Sequence, residues 1–201
     1  MATTLRPRAD GAHAAPAPPL RRGLLVAVVA AVMAVAVALV LPDVTAAGRM
    51  TTTPTHYMGL LMANQPWNLL VFMVVPFVLI YGGLVPAKLG LVPPSVGRLV
   101  TPVLAAYYAA AAAYLIRYAA WPLTTGAGWR GPADWIAVIG YIATAVPILG
   151  LTVATFTSTS DRARNWWFYS VVVLAHVAMS FGMLAPFVLG WAEPGHAMHG
   201  M

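Results

Sequence analysis

The sequence predicts an all-α membrane protein. A four-helix transmembrane core follows an N-terminal signal anchor, giving five spans with the N-terminus inside and the C-terminus outside. Three observations predict it. Only 8% of the 201 residues are charged and 61% are hydrophobic, against about 25% and about 45–50% in a soluble domain, so too few charges remain to coat a surface facing water. Apolar runs long enough to cross a bilayer recur along the chain. The basic residues then fall on one side of the resulting topology. Arg6, Arg8, Arg21, Arg22, Lys88, Arg98, Arg162 and Arg164 lie inside, with Arg49, Arg117 and Arg130 at the outer side, as the positive-inside bias requires.

Each element has its own justification. Residues 1–22 are rich in proline, alanine and arginine without periodicity, and read as a disordered basic cytoplasmic tail in which His13 is a solvated side chain. Residues 23–41 are a signal anchor or a signal peptide cut near Thr45-Ala46-Ala47. The uninterrupted run of 19 apolar or small residues exceeds the usual h-region of about 7–15 and favours the anchor. Residues 42–67 form an outer loop and, from Thr55, a short interfacial helix, with Trp67 at headgroup level.

Residues 68–191 hold the four-helix core. Its first span, 68–92, runs inward and is kinked by Pro76. The second, 98–122, runs outward with a small-residue ridge at Ala105, Ala109 and Ala113, and Arg117 snorkels near its outer end. A tight outer loop, 123–133, places Pro132 and Asp134 in the first turn of the next helix, with Arg130 four residues before Asp134. The third span, 134–156, bends at Pro147 and Gly150. The last, bracketed by Trp166 and Trp191, carries His176 with Met179 and Met183 on the same helical face. Residues 192–201 are a His/Met-rich outer tail.

Composition excludes several functions. The formal net charge of +6 suggests nucleic acid, yet the basic residues flank apolar runs instead of forming a stripe with aromatics. The partners expected are the lipid bilayer and, as alternatives, other membrane subunits or a second copy of the chain. Cysteine is absent, which removes disulfides and thiolate chemistry. There is no G-x-S-x-G, no phosphate loop and no pair of acids for general acid–base work. The sequence therefore predicts no enzyme.

Three constellations could carry chemistry. Met50, His56, Met58 and Met62 precede the core, and His196, Met198, His199 and Met201 crowd its end. Imidazole and thioether without thiolate suit copper, the one cofactor the sequence suggests. His176 with Met179 and Met183 is an intramembrane ionisable group, readable as a haem or metal ligand, a proton relay, or a neutral side chain bonded to a hydroxyl or carbonyl nearby. A bis-histidine haem would need a second buried histidine, and none lies on another span. The outer-rim polar residues Arg117, Arg130, Asp134, Asp43 and Glu193 read as loop-fixing pairs.

Three segments, THYMGLLMANQPWNLLVFMVVP (55–76), PLTTGAGWRGPADWIAVIGY (122–141) and VVLAHVAMSFGMLAP (172–186), resemble a family of small, functionally uncharacterised bacterial multi-pass membrane proteins sometimes labelled permeases. The resemblance implies a bacterial inner-membrane location, a core starting near the HYM segment, and an added N-terminal anchor. It puts weight on His56, Met58, Trp67, Asn68, Arg130, Asp134, His176, Met179 and Met183, and leaves the His/Met tail outside the pattern. The leading expectation is copper binding or delivery at the outer face. The alternatives are a non-catalytic accessory subunit of a respiratory or transport complex, docked through the alanine ridge, and a small permease using His176 as a proton site.

Overall fold

Proline placement decides where these helices bend and stop. The computed structural model describes residues 18–43, 55–157 and 159–190, and every regular element among them is helical. We label them α1 (Pro18–Val40), α2 (His56–Ala63), α3 (Trp67–Lys88), α4 (Pro94–Gly126), α5 (Gly131–Phe156) and α6 (Asp161–Met183). All except α2 are long and apolar enough to cross a membrane, α1 through its Gly23–Val40 stretch. Most of the expected basic tail, Met50, and the tail holding His196, Met198 and His199 lie outside the described residues.

In α3, π-helical turns at Leu70–Val74 and Val78–Leu84 flank Pro76. Proline has no N–H to offer the carbonyl four residues back, Phe72, or five back, Val71. Tyrosine hydroxyls bond to those two carbonyls instead. Tyr141 and Tyr57 donate to Phe72 at 3.2 and 3.4 Å, and Tyr107 donates to Val71 at 2.8 Å. The kink is thereby stitched to α2, α4 and α5, and these rings form the centre of the core.

The bend expected in α5 at Pro147 and Gly150 falls earlier, at Thr144, between helices Gly131–Ala143 and Ala145–Phe156. The donor that Pro147 lacks would have served Ala143, so the ladder opens one turn ahead of the ring. The Thr144 hydroxyl bonds back to the Gly140 carbonyl at 2.9 Å.

Two boundaries differ from expectation. The second core span is longer than 98–122, because α4 begins at Pro94 and runs to Gly126, into the start of the expected loop. The last span is not the whole Trp166–Trp191 stretch. α6 starts at Asp161, where the Ser160 hydroxyl caps the Ala163 N–H at 3.3 Å. It ends at Met183 because Pro186 disfavours helical backbone at Ala185. Leu184 is extended and a 3₁₀ turn, Pro186–Leu189, follows.

α1 lies along α4. The last carbonyls of a helix have no partner of their own, and α4 supplies donors to three around the end of α1. Tyr114 reaches Pro42 at 2.6 Å, Tyr118 reaches Leu41 at 2.9 Å, and the Arg117 guanidinium bonds to Leu39. Arg117 also stacks 4.9 Å over the Tyr118 ring. The side chain expected to snorkel is thus a cap for a neighbouring helix, and the helix that docks on α4 belongs to this chain.

Candidate functional site

α2 roofs one end of the bundle, with His56, Tyr57, Gly59, Leu60 and Leu61 buried beneath it. Three polar anchors hold it. At its N-cap, Thr55 accepts the Met58 N–H at 3.1 Å and donates to the Gly182 carbonyl of α6 at 2.6 Å. Asn68 donates to the Leu60 carbonyl at 2.8 Å. The third anchor is Asp134 in the first turn of α5, fully buried. Its Oδ1 accepts the His56 backbone N–H at 2.6 Å, and its Oδ2 accepts the Arg130 backbone N–H at 3.1 Å and lies 2.5 Å from Nδ1 of His56.

That geometry sets the state of the imidazole. An ionised carboxylate only accepts, so Nδ1 of His56 carries the proton. Nε2 is then the position left to act as base or ligand. Tyr57, one residue on, packs its ring into the groove at Gly182, where a Cβ would sit 2.3 Å from Cδ1 of Tyr57. Glycine is needed there for closeness alone. Burial raises the pKa of the Tyr57 hydroxyl above its usual value.

Below the roof, between α3 and α6, lies a cavity of about 40 Å³ whose walls include Tyr57, Tyr81, Tyr108, Tyr141, His176 and Met179. It has room for a water molecule. The Tyr81 hydroxyl lies against both ring nitrogens of His176, 2.9 Å from Nε2 and 3.0 Å from Nδ1, and Nδ1 is also 2.8 Å from the Val172 carbonyl of its own helix. In the tautomer with the proton on Nδ1, Nδ1 donates to Val172 and Nε2 accepts from Tyr81. The two rings meet edge to face at 5.6 Å. His176 is on the exposed side of α6, so the bond to Tyr81 bridges α3 and α6 across the mouth of the cleft. A phenolic hydroxyl can donate or accept. His176 can therefore take a proton on Nε2 with no rearrangement beyond rotation of one O–H bond.

The structure brings some expected site residues together and keeps others apart. Met179 reaches the same cavity as His176, whereas Met183 is 54% exposed. His56 and Met58 are two residues apart on a helix, which turns them by roughly 200° from each other. His56 faces Asp134, Met58 is half-buried, and Met62 is exposed with its sulfur accepting from the Gln65 amide at 2.8 Å. α2 therefore does not present His56, Met58 and Met62 to a single point. Among the described residues no three His, Cys, Asp or Glu side chains cluster as a metal site would need. Trp67 is exposed, Asn68 fastens the roof, and Asp134 is the partner of His56.

Sequence reasoning missed the tyrosines. Tyr81, Tyr108 and Tyr141 lie inside apolar runs, Tyr108 beside Tyr107, and Tyr57 follows His56 in the HYM segment, so no pattern of neighbours marks any of them as a site residue. The available signal was a polar tip in a segment otherwise free of polar atoms, paired with a proline whose i−4 carbonyl lacks a donor.

A family model described as a family of unknown function (DUF6803) matches residues 50–198. The match takes in α2 to α6 and leaves α1 outside. It runs on to residue 198, so His196 and Met198 fall within the family pattern, and the expectation that the His/Met tail lies outside it is corrected. The resemblance to an uncharacterised family thus holds. No curated protein matches the chain, and no solved structure matches it.

Proposed function

The chain belongs to DUF6803, and from that premise we propose a small multi-pass membrane permease that handles protons through His176. In this reading the five long helices span a bacterial inner membrane. The N-terminus and the Lys88 end of the bundle face the cytoplasm, and the α2 roof faces outward, as the distribution of Lys and Arg favours. α1 is retained as an anchor, consistent with the three carbonyls at its end that α4 side chains bond. The protein works without covalent catalysis.

One observation carries the proposal. His176 lies within a span, on a cavity the size of a water molecule, and its hydrogen bond to Tyr81 can reverse direction. An ionisable group inside a span is costly unless it serves a function. A reversible hydroxyl partner lets it load and unload a proton without breaking the bridge. The α2 roof closes the outer route to this cavity, with Tyr57 as its inner face.

The test is proton flux into vesicles holding the purified protein and a pH-sensitive dye, driven by an imposed pH gradient. The native chain should exceed empty vesicles. His176→Ala should lose about a hundredfold, the low end of what a positioned proton-transfer group contributes, and Tyr81→Phe should lose part of that. Flux equal to empty vesicles, or unchanged in His176→Ala, sinks the reading.

A second reading keeps metal handling at the outer face and rests on the His56–Asp134 pair. A carboxylate that fixes the imidazole tautomer is the usual support for a ligand histidine. Here Nε2 of His56 would need its further ligands from the tail residues His196, Met198 and His199, since Met58 and Met62 turn away from it. Copper is the ion that such a set suits. Metal analysis of the purified protein, with and without His56→Ala, decides it, and an absence of copper from both removes it.

A further inference from the structure

The end of the bundle opposite α2 has a cavity of its own, about 280 Å³, at which α3, α4, α5 and α6 meet. Its charged lining is Lys88 from the last turn of α3, Arg98 from α4, and Asp161 and Arg164 from the first turn of α6. Asp161 is already engaged by Arg164, and Lys88 bonds the uncharged Asn165 amide. Among the described residues Arg98 has no hydrogen-bond or ion-pair partner. Three cations thus face one cavity against a single carboxylate. The same cavity receives the N-terminal turns of α4 and α6, whose helix dipoles add positive potential. Its floor is apolar, formed by the buried side chains of Leu84, Leu151 and Phe168.

We infer that this cavity binds a phosphate-ester anion, with Lys88, Arg98 and Arg164 around the phosphate and the apolar floor beneath the group that carries it. Charge-assisted bonds from lysine and arginine are the strong contacts to phosphate. Basic pockets between spans on the cytoplasmic side suit anionic lipid headgroups, and a soluble phosphate ester offers the same chemistry. The inference is independent of proton handling at His176.

The test is binding and thermal stabilisation of the purified full chain in detergent, where membrane orientation plays no part. Phosphatidylglycerol is compared with phosphatidylcholine of the same acyl chains, and inorganic phosphate is titrated separately. Stabilisation by phosphatidylglycerol above phosphatidylcholine, weakened about tenfold or more in the double variant Lys88→Gln/Arg98→Gln, supports the site and names a lipid as the source. Protection by inorganic phosphate with no lipid preference, lost in the same variant, supports the site and names a soluble ester. Arg162→Gln, a cation outside the cavity lining, should bind as the native chain does. Equal response to both lipids with none to phosphate, or an unaltered response in the double variant, overturns the inference.

Discussion

Two histidines divide this molecule. His56 is buried at the roof, its backbone and ring both taken by Asp134, a residue 78 positions away. His176 is exposed on α6 and has two uncharged partners, one on its own helix and one across a cleft. The first pair holds a tautomer and a helix in place, so removing it should cost structure. The second allows two protonation states at nearly constant geometry, so removing it should cost function and little stability. The difference comes from what surrounds each ring. A carboxylate partner in a buried site fixes the proton, whereas a hydroxyl partner lets it move.

The largest expected effect breaks the first half of that comparison. Asp134→Ala leaves the His56 ring N–H and two backbone N–H groups without an acceptor in a buried site. It should lower stability by about 3 kcal/mol, read as a drop in the thermal unfolding midpoint in detergent. A loss below about 0.5 kcal/mol would mean that the pair does not hold the roof. Next, Gly182→Ala places a methyl group against the Tyr57 ring and should cost about 1–3 kcal/mol by overpacking. It should also speed hydrogen exchange in α2 while sparing α1, and uniform exchange would contradict the view of α2 as a separately anchored roof.

Smaller effects sharpen the contrast. Asp134→Asn keeps the shape but has one acceptor oxygen where the carboxylate uses two. At least one of the His56 backbone, His56 ring and Arg130 contacts then loses its acceptor, and the unfolding midpoint should fall, by less than in Asp134→Ala. A midpoint equal to that of the native chain would mean that the second carboxylate oxygen holds nothing. His176→Phe should change the unfolding midpoint by less than the equivalent of about 1 kcal/mol while abolishing flux. A large stability loss would make His176 a structural residue like His56. The smallest effect is alkaline. Burial holds the Tyr57 phenol protonated in the fold beyond the pH at which an unfolded tyrosine ionises. Below the unfolded value both states keep the proton and full stability remains. As pH rises above it, the unfolded chain releases its proton first and stability falls. Tyr57→Phe should lessen that fall, measured as unfolding midpoint against pH.

The legible and illegible parts of the chain separate by range. The kink at Pro76, a bend near Pro147 and the start of a short helix at Thr55 are local chemistry, and each is legible within a few residues. Even so, α6 stopped at Met183 where hydrophobicity alone carried it to Trp191, because the restraint from Pro186 is steric and leaves hydropathy unchanged. Arg117 reads from the sequence as a snorkelling side chain because its partner, the Leu39 carbonyl, belongs to a helix distant in sequence. The sequence marks Asp134 as a helix-start residue, which it is, but nothing near it announces His56.

The amino-acid order alone determined that the described segments are helical, that five of them can cross a bilayer, and which prolines disturb them. Those properties depend on side-chain polarity and backbone donors within a turn or two of each residue. Tertiary packing alone decided that His56 meets Asp134, that four tyrosines and His176 share one cavity, and that three cations face another. Which side chains meet depends on how each helix is rotated and tilted against its neighbours, and close approaches such as Tyr57 on Gly182 set those angles.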